Sequence, residues 1–264
     1  MRDELSGIFT PEQSHEDPVR RAQIQMHRPL PKRFYTDVTV EPEDQGFAVK
    51  LDGKPVKTPG RNPLQLRTPA LAGLVADEWR AQVDVINPAT MPITKLSNTA
   101  IDAVSQQLDA VAEEILNFAG TDALFYRADT PQELVARQNA AWNPIIEWAA
   151  ADLGARFILA EGVVHRQQPA ESLAAFAAAL SRHHEPFSLS SLHVMTTLTG
   201  SALLALAVAE GRLTTEEAWA LAHVDEDWTE EHWGFDAEAQ ARRQKRFEEM
   251  QAAAQLFHAH RGRD

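Results

Sequence analysis

Sixteen residues, His223-Val224-Asp225-Glu226-Asp227-Trp228-Thr229-Glu230-Glu231-His232-Trp233-Gly234-Phe235-Asp236-Ala237-Glu238, hold seven acids and two histidines and no Lys or Arg. As one helix, at about 100° per residue, His223, Glu226, Asp227 and Glu230 share a face, and Leu221, Val224 and Trp228 lie opposite. Three carboxylates and an imidazole on one face could hold a divalent ion. That gives the enzymatic reading, a metal-dependent hydrolase. The H-E-x-x-H pattern is absent, however, and the Glu-x-x-His pair of di-iron bundles does not recur on a second helix. The same face could simply be solvated. It could also meet a partner, with Glu226, Asp227 and Glu230 at the centre and Trp233, Asp236 and Glu238 beside them.

Other chemistries lack their residues. The chain has no G-x-x-x-x-G-K-[ST] and no G-x-G-x-x-G, so a cycle driven by bound nucleotide is not expected. There is no cysteine and no G-x-S-x-G elbow. A disulfide or cysteine–zinc site is impossible, and no cofactor is expected. Tryptophans stand at Trp79, Trp142, Trp148, Trp219, Trp228 and Trp233. Trp142 and Trp228 fit helix cores. Trp233, beside Gly234 and flanked by acids, reads either as core or as an interface anchor.

These residues must be positioned by helices, because the pattern is helical from Pro69 almost to the end. Residues 1–31 hold four prolines and scattered charge and read as a mobile arm. From Phe34 to Leu66 the pattern changes to alternation, as in Phe47–Leu51. Asp52-Gly53 then supplies the two positive-φ positions of a tight hairpin turn. A helix over 69–82 follows, with Leu71, Val75 and Trp79 at spacing four and Trp79 expected in the core. Pro88 and Pro92 make 85–94 a linker, and Asn98 or Thr99 would cap a long helix through Leu116. Further helices are expected over 131–153, ended by Gly154, and over 170–183. Between them, 156–164 alternates enough for one more strand. Phe187–Ala209 carries no charge and is as long as a membrane span, but its many Ser and Thr favour a buried central helix. Thr214-Thr215-Glu216-Glu217 is a capping box opening a helix to about Trp233. The last helix, about 236–258, carries Phe247, Met250, Ala254 and Phe257. The fold class is therefore α+β: a small N-terminal antiparallel β domain over 32–96, with its closing helix and linker, then a larger all-helical domain over 97–264.

The hydrophobic share of 44% supports a packed core, and the formal net charge is -13. Such a surface repels a nucleic-acid backbone and suits a neutral or basic protein partner. The acidic N-terminus carries neither a transit peptide nor a signal peptide pattern.

Several pieces together carry a resemblance. Arg33-Phe34-Tyr35, Leu51-Asp52-Gly53-Lys54-Pro55-Val56-Lys57-Thr58-Pro59, Glu78-Trp79 and Asn98-Thr99-Ala100-Ile101-Asp102 occur in order. Asp122, Tyr126-Arg127, Trp142-Asn143-Pro144-Ile145-Ile146-Glu147-Trp148 and Trp233-Gly234 follow. In order and spacing they resemble the assembly chaperones of the F-type ATP synthase alpha subunit, the Atp-twelve family, over roughly 32–250. After Gly234 the chain enters its last helix directly, where some relatives carry extra residues. The resemblance implies a binding protein rather than an enzyme. It would hold the free alpha subunit, with no nucleic-acid partner and no stable membrane insertion, in a bacterial cytoplasm; a mitochondrial matrix form is the alternative. It also implies client recognition in the acid-rich C-terminal region.

Overall fold

In the computed structural model, residues 29–162, 166–234 and 236–262 are described. The expected N-terminal arm lies outside them up to residue 28. By compactness the described chain divides in two: residues up to Gln106 with 258–262, and Gln107–Phe257.

The first unit starts as a meander. Strand β1, Val38–Glu43, pairs antiparallel with β2, Gly46–Leu51, in a register that sets Val38 against Leu51. The strand β3, Lys54–Pro55, returns at once, because Asp52 (φ 47°) and Gly53 (φ 77°) take the left-handed conformation that the turn requires. The Asp52 carboxylate closes the turn by accepting from the Thr36 and Asp37 amides, and these bonds hold its pKa below the usual value. The last strand of the sheet, β4, Gln65–Leu66, pairs with β2 on Phe47 and Ala48.

Helix α1, Pro69–Arg80, begins where the Thr68 hydroxyl accepts from the Leu71 amide. It buries Leu71, Ala72, Val75, Ala76 and Trp79, so Trp79 sits in the core as expected. The region read as a linker differs. Helix α2 runs over Pro92–Asp102, and its N-terminus is capped from another helix. The Glu78 carboxylate accepts from the Ile93 and Thr94 amides, both at 2.7 Å, and from the Thr94 hydroxyl at 2.6 Å. The long helix expected through Leu116 is therefore split: α2 ends at Asp102 and α3 spans Leu108–Gly120.

The second unit is mainly helical. Residues 126–127 form β5 and residues 160–161 form β6, a parallel pair within this unit. The pair places a short strand inside the stretch read as alternating, whose end lies outside the described residues. Helix α4, Gln132–Trp148, runs into a wider turn over Ala149–Leu153 and stops at Gly154 (φ 76°), the expected C-terminal stop. Helix α5 is Ala170–Ser181.

The uncharged stretch is not one helix. Helix α6, Pro186–Thr199, ends at Gly200 (φ 68°), and α7, Ala202–Ala209, starts afresh with Ser201 as its cap. All of α7 is buried. No helix among the described residues is long and apolar enough to cross a membrane. The architecture is α+β, an N-terminal antiparallel sheet followed by mostly helical structure.

Candidate functional site

The acidic stretch folds as two helices, not one. Helix α8, Thr215–Ala222, opens on the expected capping box, and α9, Val224–Trp233, follows. His223 stands between them with φ -117° and ψ 20°, outside helical geometry. A break at that point voids the single-helix wheel, and His223 turns inward. It is buried, its ring stacks on Trp219 at 4.1 Å, and its Nδ1 lies 2.7 Å from the Trp219 carbonyl oxygen. Burial pushes its pKa down. Glu226 approaches its Nε2 only to 3.7 Å and is otherwise exposed.

Helix α10, Ala237–Arg261, supplies cations that the local sequence does not show. Its Arg243 pairs with Asp227 at 2.5 Å, both side chains being largely covered. Gln240 donates to Glu230 at 2.6 Å. Asp227 and Glu230 were expected to be exposed; they are half-buried because they tie α9 to α10. On the opposite side α4 contributes two more ties: Arg137 meets Glu231 at 2.6 Å, and Gln138 donates to Asp225 at 2.7 Å. The Arg137 bond lowers the Glu231 pKa and raises that of the guanidinium.

The remaining expected site residues are exposed. Asp236 caps α10, accepting from the Glu238 and Ala239 amides. Glu238 pairs with Arg242 one turn on. Trp233 closes α9 before Gly234 (φ 101°) and is 86% exposed. So Glu226, Trp233, Asp236 and Glu238 face solvent, while Asp227 and Glu230 are internal struts. Trp142 is core, with its indole N–H donating to the Leu221 carbonyl, whereas Trp228 is only half-buried and stacks on His232.

This geometry suits binding better than metal chemistry. Among the described residues no three His, Asp or Glu side chains converge as ligands. The hydrolase reading loses its support, because the histidine turns inward and the acids spread toward separate partners. Sequence reading missed Arg137, Gln138, Gln240 and Arg243. The Arg242-Arg243 pair one turn into the last helix was visible, but its fold back onto α9 was not.

The comparisons agree with this picture. Residues 32–150 match the model of the family described as ATP12 chaperone protein. A crystal structure from Agrobacterium tumefaciens is 54% identical, covers 97% of this chain and 96% of its own, and superposes with a TM-score of 0.87. The crystal structure of Atp12 from Paracoccus denitrificans is 41% identical over 87% of this chain and 98% of that one, with a TM-score of 0.82. The mitochondrial protein atp12 of Schizosaccharomyces pombe is 24% identical over 230 residues, 81% of this chain and 77% of that protein. With a fold shared at this identity along nearly its whole described length, the chain belongs to the ATP12 chaperone family.

Proposed function

We propose that this chain holds the free alpha subunit of the F-type ATP synthase head until the beta subunit takes its place, without using ATP, and that Trp233 and the acids around it meet that client. Family membership makes the chain an assembly chaperone of the F1 ATPase. An unassembled ring subunit exposes a wide apolar interface meant for its neighbour. Covering it prevents aggregation, and a more stable final assembly can release the chaperone without a nucleotide cycle.

Trp233 is the observation that carries the site. A large indole left 86% exposed buries little surface in the free protein, and it is a residue type enriched among interface anchors. Near it along the chain Glu226 and Asp236 face solvent and present negative charge to a basic rim on the client, and the exposed Glu238 would exchange its Arg242 pair for a client cation. Asp227 and Glu230 contribute by holding α9 in place. A client cation reaching them would have to displace Arg243 or Gln240. Higher identity to the two bacterial relatives than to the mitochondrial one supports a bacterial cytoplasm as the compartment.

The test is aggregation of purified alpha subunit on dilution from denaturant, followed by light scattering with no nucleotide present. One equivalent of this chain should suppress scattering, and the complex should elute as one species. If scattering is unchanged at several equivalents, the reading is wrong.

A further inference from the structure

The first unit exposes an apolar face that its own fold does not use. Lys32 and Val85 form an antiparallel bridge, held by the Arg33 amide donating to the Asp84 carbonyl and the Ile86 amide donating to the Pro31 carbonyl. Side chains alternate on either side of such a bridge, except at Asp84, which sits at a bend and is exposed. The inward set includes Tyr35, Gln82 and Ile86, all buried. The outward set is Leu30, Lys32 and Phe34 on one strand and Val83 and Val85 on the other. Leu30 is 41% exposed, Phe34 48%, Val83 75% and Val85 37%.

Single exposed apolar residues need no explanation, but four gathered around one bridge do. Two further features say what covers them. Lys32, bridged to Val85, makes no ion pair among the described residues, while Arg33 turns the other way and donates to the Tyr35, Gln82 and Thr36 carbonyls. Lys32 thus places a cation among the four, with the exposed Asp84 at the margin, in a chain of net charge -13. The bridge bonds also come from the residues flanking Lys32 and Val85. Their own N–H and C=O groups point away from the pair and take no backbone partner among the described residues, which leaves extended backbone open to pairing.

We propose that this face is a second docking surface for the chaperone's client, taking an extended apolar segment that carries a carboxylate opposite Lys32. It rests on the chaperone reading and adds a site in the first unit. Pairing with that backbone would supply affinity, and the apolar and cationic side chains would select the segment.

The experiment uses the full chain and purified alpha subunit. Phe34→Ser with Val85→Ser should weaken binding about tenfold or more, as loss of interface anchors does. Lys32→Glu should weaken it more than Lys32→Gln. The unfolding temperature should fall by only a few degrees and unfolding remain a single cooperative transition, since Phe34 and Val85 are partly exposed and Lys32 is exposed. A photo-crosslinking benzoylphenylalanine at position 83 should join to the alpha subunit. Variants that bind within twofold of the parent would overturn the proposal. So would a crosslink to a second copy or to residues 1–28 of the same chain. A parent that does not bind alpha subunit at all overturns the chaperone reading instead, and this surface with it.

Discussion

Asp122 is buried where α6 ends and α7 begins. Its carboxylate accepts from the Ser201 hydroxyl at 2.9 Å, the Leu203 amide at 3.0 Å and the Leu124 amide at 3.1 Å. Burial outweighs these donors and pushes its pKa up to about 6. A raised carboxyl pKa means that the folded state holds the proton more tightly than the unfolded chain. Stability from this group is therefore full below about pH 4 and falls as pH rises toward 6, by up to ~3 kcal/mol. Asp122→Asn should remove that slope, which denaturant melts between pH 4 and 7 would show as a parent that loses stability with rising pH and a variant that does not. Trp79 sits at the other extreme of chemistry. Its ring is fully buried, 5.7 Å from that of Tyr35, whose hydroxyl donates to the Trp79 carbonyl. Trp79→Arg should cost about 4 kcal/mol or more by placing an unpaired charge there. Calorimetry showing an unchanged Tm would place Trp79 outside the core.

At the scale of elements, the sheet depends on Gly46. Its φ of 141° is closed to other residues, and a Cβ there would stand 2.4 Å from the Leu66 carbonyl oxygen, where β4 meets β2. Gly46→Ala should destabilise by about 2 kcal/mol or more, read by urea melts. Thr214→Ala should cost about 1 kcal/mol, because it removes the hydroxyl that accepts from the Glu217 amide and leaves the bond from the 214 amide to the Glu217 carboxylate in place on α8. Both elements were legible from local signals: Asp52-Gly53 marked the hairpin, and Thr-x-x-Glu marked the cap. What escaped was set by distant residues. The start of α2 is capped by Glu78, and no local cap announces it. The break at His223 was hidden because the residue types on either side suit helix equally well. At Gly200 a glycine that could have eased packing instead ends one helix, and Ser201 caps the next by accepting from the Leu204 amide.

For the whole molecule, seven acids between Asp225 and Glu238 with no Lys or Arg read as one strongly negative patch. The fold divides that charge. Asp225, Asp227, Glu230 and Glu231 are engaged by α4 and α10, and Glu226 and Asp236 remain turned to solvent around Trp233. The residues of the site were thus legible as a cluster, but not which of them were struts, since that depends on where Arg137 and Arg243 pack. Exposed charge pairs are screened over roughly 8 Å at physiological ionic strength, so client binding should weaken as salt rises. The direct measurement is a titration of isolated alpha subunit with the parent and with a Glu226→Gln, Trp233→Ser variant, without nucleotide, at low and high salt. The account predicts a one-to-one complex with the parent, loosened by salt, and at least about tenfold weaker binding by the variant. Equal affinity and equal salt dependence for the two proteins would contradict it.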